Sequence, residues 1–282
     1  MNKSITQIRE ALYDNNLTVE VLLNLSFTKV NMVINLMYHD VYEHDTYESG
    51  FVRERDFPYK IKADVFESQV KAISDYCQLA NLPKDSVRFT FDDGGKSFHS
   101  VIAPILEKYG YKGLFFISTK YIGTETFLNK DEIRELHARG HIIGSHAHTH
   151  IHFYALSDVE VEDEWKQSVE ILTNIIDEPI RYASIPNGDK SKRVLEYARK
   201  YGIEKIYTSE PTTKVSDFKG MEVIGRYVLL AENPNEDALS IVRSPKTRFI
   251  LSCKRCILNA VKSIMGSNYV KLKNTLYRTR CK

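Results

Sequence analysis

Residues 88–98 read RFTFDDGGKSF: a β-prone run, two adjacent aspartates, then two glycines. Val87 to Phe91 has the apolar, aromatic character of a strand, and Asp92-Asp93-Gly94-Gly95 ends it abruptly. Neighbouring carboxylates repel, and desolvating both is unfavourable unless something offsets their charge. Whatever does so must sit at the end of this strand, so the surrounding strands decide what is there.

Working outward, strand and helix signals alternate. Upstream, NMVINLMYHDV (31–41) is a nearly continuous apolar run suited to a strand buried on both faces. Residues 64–80 place Phe66, Val70, Ile73 and Cys77 at helical spacing, and 4–25 carry Ile5, Ile8 and Leu12 on one helical face. Downstream, 97–109 predicts a helix closed by Gly110, and GLFFIS (113–118) a strand. Asn129 with Glu132 forms a capping box for a helix ending at Gly140, and HIIGS (141–145) follows as a strand. Ser157 with Glu160 opens a long helix with Val161, Trp165, Val169, Leu172 and Ile176 inward. IRYASI (180–185), a helix over 189–201, EKIYT (204–208) and MEVIGRYVLL (221–230) complete the series. Seven strands with helices between them predict a parallel α/β sheet or barrel.

Such folds collect reactive side chains at the C-terminal ends of their strands. Here those ends hold His39-Asp40, Asp92-Asp93-Gly94, the run GSHAHTHIH with His146, His148, His150 and His152, and Ile185-Pro186-Asn187-Gly188. One aspartate and two histidines make an open site for a divalent cation. The second aspartate is then free to take a proton from a water molecule. Each piece also has a plainer reading. Asp-Asp-Gly alone is often a solvated turn, a lone histidine is often a half-buried structural residue, and a histidine-rich loop can be surface decoration. Their coincidence at strand ends is what favours a site.

FTFDDG and IGSHAHTH resemble the first two motifs of the polysaccharide deacetylases, carbohydrate esterase family 4. The flanking APILEKYGYKGLFFIST and EIRELHARGHIIGSHAHTH fit as well, and the resemblance spans about residues 31–230. It implies a distorted (β/α) barrel and a divalent metal, usually zinc. By position it makes Asp92 the catalytic base, Asp93 a metal ligand, and His146 and His150 the two ligand histidines. His148 and His152 fall outside the motif; an extended backbone would put all four histidines on one side, as neighbours of the site. The third motif is altered to Ser184-Ile185-Pro186-Asn187-Gly188, so Pro186, Asn187 and Gly188 are the expected substrate-binding turn, with the Asn187 backbone N–H a candidate oxyanion donor. The family's base-orienting arginine is missing there, which leaves Arg181 or Arg226 to replace it. The family's late histidine acid is absent too, since no histidine follows His152. A permuted branch, similar to the deacetylases of bacterial poly-N-acetylglucosamine export, carries a Tyr-His motif before the Asp-Asp motif. LMYHDV resembles that strand, which makes His39 the candidate acid.

The resemblance therefore implies hydrolysis of acetamido groups on an N-acetylated oligo- or polysaccharide. O-deacetylation, deformylation of an amino sugar, or a non-catalytic carbohydrate-binding relic remain open alternatives. No apolar run reaches the ~20 residues of a membrane span, and MNKSITQIREALYDNN is too polar for a signal peptide, which predicts a cytoplasmic protein. The four cysteines form no disulfide framework, and Cys253-x-x-Cys256 is expected on one helix face without metal.

The expected organisation is a helical extension over 1–29, the deacetylase-like barrel over 30–244 and a basic helical tail over 245–282. Residues 246–282 hold ten Lys/Arg and no Asp/Glu, leaving 29 Lys/Arg against 37 Asp/Glu elsewhere. Phe249, Cys253, Ile257, Val261 and Ile264 make an apolar stripe in that tail. It either packs onto the barrel or faces an anionic membrane surface at the cytoplasmic side. Nucleic acid is not an expected partner, because no aromatic platform is interleaved with the basic residues.

Overall fold

A computed structural model describes residues 32–231 and 238–265, with side chains described up to 259. The helices expected over 4–25 and the side chains of Val261 and Ile264 lie outside the described residues. In chain order the elements are β1 (Ile34–Tyr38), β2 (Asp40–Tyr42), β3 (Lys60–Lys62), α1 (Ala63–Leu79), β4 (Val87–Phe91), α2 (Ala103–Lys108), β5 (Gly113–Ile117), α3 (Lys130–Ala138) and β6 (Ile142–Ser145). They continue as α4 (Asp158–Ile176), β7 (Tyr182–Ser184), α5 (Lys192–Lys200), β8 (Lys205–Tyr207), β9 (Ser216–Phe218), β10 (Met221–Ile224), β11 (Tyr227–Val228), α6 (Ala238–Arg243) and α7 (Pro245–Met265).

Nine strands form one curled sheet in the order β11-β1-β4-β5-β6-β7-β8-β10-β9, while β2 pairs with β3. Every neighbouring pair in the large sheet is parallel except β9 with β10. This is the expected distorted (β/α) half-barrel, with two more strands in the main sheet than the seven read from sequence. One is the short antiparallel β9, a three-residue element too brief to leave a periodic signal. The other arises because MEVIGRYVLL is not one strand. It breaks at Gly225-Arg226, so that β10 pairs with β8 while β11 pairs with β1. The sheet thereby curls until its first and last strands are neighbours. Gly225 permits the bend by close approach: a Cβ there would lie 2.5 Å from the carbonyl oxygens of Glu210 and Thr212.

The two faces of β4 show how the layers divide. Phe91 packs against Phe66 of α1 and against Phe98 and Phe115, forming the layer between sheet and helices. Phe66, Val70 and Ile73 are fully buried there, each contributing roughly 1.5–3 kcal/mol of apolar burial. On the opposite parity, Arg88 donates to Tyr207 Oη at 3.0 Å across the sheet, and Thr90 and Asp92 both meet Arg226. Leu114, Phe116, Tyr207 and Ile224 fill this inner face. Strand alternation alone thus carries Asp92 into the interior, at the C-terminal end of its strand.

The capping boxes of α3 and α4 form as expected, with Asn129 and Ser157 as caps. The tail helix α7 also forms, but its apolar stripe does not pack onto the sheet. Phe249 and Ile257 are 69% and 66% exposed, and Cys253 is exposed between them. The inward face is anchored instead by Arg248, which donates to the carbonyls of Ile241 and Val242, and by Arg255, which donates to Ser209 Oγ.

Candidate active site

The two aspartates diverge because the backbone turns left-handed between strand and glycine. Asp93 has φ 88° and Gly94 φ 96°, so the chain reverses immediately after Asp92. A non-glycine residue at such a φ is strained, and surrounding contacts must hold it there. Asp92 is 1% exposed and is gripped by a bidentate pair: Arg226 Nη1 donates to Oδ1 at 2.6 Å and Nη2 to Oδ2 at 2.7 Å. Burial pushes Asp92 up, but the Arg226 charge outweighs it and holds the carboxyl below its ordinary range. Arg226 is itself fully buried and fixed by Thr208 O at 3.1 Å and Thr90 Oγ1 at 3.2 Å. Of the two arginines expected to orient the base, Arg181 does not reach it. Arg181 is exposed and pairs with Glu204, because it precedes β7 and so lies at the wrong end of the sheet.

Asp93 faces the histidines. Its Oδ1 lies 3.1 Å from His150 Nε2 and 3.4 Å from His146 Nε2. Neither contact has hydrogen-bond geometry, and Oδ1 is a buried oxygen without a hydrogen-bond partner among the described residues. The three ligand atoms lie within 4.8 Å of one another. Burial pushes Asp93 up, but the adjacent His150 charge outweighs it and holds the carboxyl well below the usual range. An orphaned carboxylate oxygen aimed at two imidazole nitrogens is the donor set a divalent cation requires, so these residues fit the metal that the sequence implies.

The other side of His146 supports the same fit. His146 Nδ1 is 2.5 Å from Ser184 Oγ, and the Ser184 hydroxyl donates to Asp92 Oδ1 at 3.0 Å. Since the serine proton goes to Asp92, Nδ1–H is the donor to serine and the lone pair sits on Nε2, facing Asp93. The altered third motif contains Ser184 but assigns it no role; its place at the C-terminal end of β7 is the signal that does.

The histidine run does not stay extended. Ala147 and His150 have φ 58° and 60°, so the four histidines do not share one side. His148 turns to Thr119, with Nδ1 at 2.8 Å from Oγ1, and His152 pairs with Asp189 at 2.9 Å. The turns are held by Glu164 of α4, which is 7% exposed and accepts from the His148 and Thr149 N–H groups at 2.8 Å each. Glu164 belongs to no motif; the usable signal for it is an acid inside the inward stripe of an amphipathic helix. Next to this loop, Pro186, Asn187 and Gly188 form a tight turn with Asn187 at φ 57°, and Asn187 Nδ2 donates to His150 O at 3.3 Å.

His39 follows β1, and β1 neighbours β4, so it arrives beside Asp92. The Asp92 N–H donates to Tyr38 O at 3.1 Å, which fixes the two strand ends together. The His39 ring packs on Tyr59 with centroids 4.5 Å apart, and its buried Nδ1 has no hydrogen-bond partner among the described residues. Burial lowers its pKa against the opposing pull of Asp93 and Asp92. The neighbouring Asp40 anchors this segment, accepting from Ser49 Oγ at 2.6 Å and Ser97 Oγ at 2.5 Å.

Residues 80–206 match the family model described as polysaccharide deacetylase. The Bacillus subtilis protein YxkH, whose name places it in the same family, is 28% identical over 165 residues, 58% of this chain and 56% of that one. A Staphylococcus aureus poly-β-1,6-N-acetyl-D-glucosamine N-deacetylase is 27% identical over 163 residues, 51% of this chain and 54% of that one. The matches thus span about half the length of these curated relatives. The solved Streptococcus pyogenes deacetylase PplD, in complex with acetate, shares the fold with a TM-score of 0.63 at 22% identity, covering 75% of this chain and 98% of that one.

Proposed function

We propose that this domain hydrolyses the acetamido group of N-acetylated sugars in an oligo- or polysaccharide, with Asp92 as base and His39 as acid. The observation that carries this reading is the opposite partnering of two adjacent carboxylates, Asp92 with Arg226 and Asp93 with His146 and His150. A divalent ion, zinc by its mixed nitrogen and oxygen donors, would be held by Asp93, His146 and His150 and would supply polarisation of the acyl carbonyl and of a water molecule.

Asp92 takes the proton from that water. Its Oδ1 is already engaged by Arg226 and Ser184, but among the described residues Oδ2 accepts only Arg226 Nη2 and retains a lone pair. Arg226 keeps this carboxylate ionised and fixes its plane. The Pro186-Asn187-Gly188 turn binds substrate, and the Asn187 backbone N–H donates to the oxyanion that develops on the acyl group. His39, when protonated, delivers a proton to the departing sugar amine, which would otherwise leave as an amide-type anion.

The test is acetate release from N-acetylglucosamine oligomers of β-1,4 and β-1,6 linkage by the wild type and by Asp92→Asn. Wild-type release that falls by ~10²–10⁴-fold in Asp92→Asn supports the reading. Release confined to O-acetylated glycans, or formate released from formylated amino sugars, reassigns the substrate. No release from any glycan by metal-loaded protein leaves a carbohydrate-binding relic.

A further inference from the structure

The tail helix α7 leaves an apolar strip on its solvent side. The face toward the sheet is fastened by polar anchors: Arg248, 9% exposed and bound to two carbonyls of α6, and Arg255, 2.7 Å from Ser209 Oγ. The face toward solvent carries Phe249, Ile250 and Ile257 at 69%, 43% and 66% exposure, with Cys253 and Cys256 exposed between them. These positions recur at three- and four-residue spacing, so they form one continuous apolar strip and not scattered exposed residues. Exposed Lys246 and Lys254 lie on the same side, one turn from Ile250 and Ile257 respectively. An apolar strip flanked by lysines is the composition of a helix that lies in the headgroup layer of a bilayer.

We propose that α7 seats this chain on an anionic lipid surface through Phe249, Ile250 and Ile257. Charge favours that occupant over a second copy of the chain. Residues 246–282 contain ten Lys/Arg and no Asp/Glu, so two copies of this segment brought together would oppose like charges, whereas anionic headgroups complement them. The rest of the chain is net acidic, with 29 Lys/Arg against 37 Asp/Glu, and anionic lipid repels it. The attachment is therefore directional, with α7 toward the lipid. Arg255 also lies near the turn of the candidate site: its Nη2 is 3.6 Å from where a Cβ on Gly188 would sit. Docking through α7 consequently holds the Pro186-Asn187-Gly188 turn close to the headgroup layer. The lipid attachment itself stands independently of the proposed reaction.

The full chain is to be sedimented with vesicles of phosphatidylcholine alone and of phosphatidylcholine mixed with phosphatidylglycerol, at low and high salt. Binding is expected to the mixed vesicles, weakening with salt, and to fall by ~10-fold or more in Phe249→Ser/Ile257→Ser. Lys246→Glu is expected to weaken binding several-fold and reduce its salt dependence. These positions are exposed, and unchanged thermal unfolding of the variants verifies that the fold is intact. Val159→Ser, which alters an exposed apolar residue on α4, is expected to bind like the wild type. The proposal is overturned if the wild type ignores anionic vesicles, if the double variant binds equally, or if Val159→Ser loses binding to the same extent. It is also overturned if the wild type is a dimer in solution that the double variant dissociates.

Discussion

Replacing Arg226 with methionine deletes one half of a buried ion pair and leaves the other half in place. Arg226 is fully buried and Asp92 is 1% exposed, so neither group has water to fall back on. The substitution removes both bonds to the Asp92 carboxylate and those to Thr90 Oγ1 and Thr208 O. Deleting one partner of such a pair costs about 3–5 kcal/mol. For a chain of this size that is a fall in melting temperature of roughly 6–20 °C. The pH dependence distinguishes this cause from a simple packing loss. In the wild type, Asp92 has a folded pKa below its unfolded value. Its contribution is therefore present above the unfolded value of about 3.9 and lost as pH falls through the folded one. In Arg226→Met the main opponent of burial is gone and chiefly the Ser184 hydroxyl bond remains, so the folded pKa is expected to rise above the unfolded one. The sign reverses. The deficit is then largest at neutral pH and shrinks as the pH falls through the raised pKa, because the carboxyl takes up a proton. Thermal unfolding of both proteins in chelator, over about pH 5–8, measures this directly. A deficit below about 1 kcal/mol, or one that is the same at every pH, refutes the reasoning.

Elemental analysis of His146→Ala and His150→Ala is expected to show near-complete loss of bound metal, with His148→Ala retaining it; the opposite result for His148 would mean that the ligand register is wrong. His39→Ala is expected to keep metal yet lose ~10²–10⁴-fold in amide hydrolysis, and much less on an ester with a good leaving group. Equal losses on the two substrates would make His39 structural. His141 accepts from the Gly113 N–H at Nδ1 (2.9 Å), a bond only the neutral ring can make, and burial lowers its pKa to about 4. The unfolded chain, with a histidine pKa of about 6.5, then binds more protons below that value, so stability is expected to decline from about pH 6.5 toward 4. His141→Asn should flatten that slope in urea titrations, and an unchanged slope would exclude His141 as its source.

Several elements are legible in the sequence because independent local signals agree. Helix α4 has a capping box, an apolar stripe and a length that all point the same way, and its Val161, Trp165 and Leu172 are buried as the spacing requires. The bend inside MEVIGRYVLL is hidden, since it depends on Gly225 being pressed against Glu210 and Thr212, a contact no local pattern encodes. The choice between Arg181 and Arg226 is recoverable from strand polarity, because Arg181 enters β7 whereas Arg226 leaves β10. The Asp93, His146 and His150 set is legible from motif spacing, but Ser184 and Glu164, which orient it, are not. Serine and glutamate are common residues whose role here comes from position alone. Amphipathic spacing in α7 predicts the helix and not which face docks, because Arg248 and Arg255 find carbonyl and hydroxyl acceptors that the periodicity cannot foresee.

The bend at Gly225-Arg226 also sets the order in which a growing chain acquires its chemistry. Asp92 and Arg226 are 134 residues apart. A nascent chain leaving the ribosome therefore exposes His39, Asp92, Asp93, His146 and His150 long before the guanidinium that pairs with Asp92 has been made. The same two residues route the chain to β11, which pairs with β1. Pairing of β11 with β1 and delivery of the Arg226 guanidinium to Asp92 are thus one event. On the mechanism proposed above, a product broken off before this point carries Asp93, His146 and His150 but no cation for Asp92, and it is expected to be inactive.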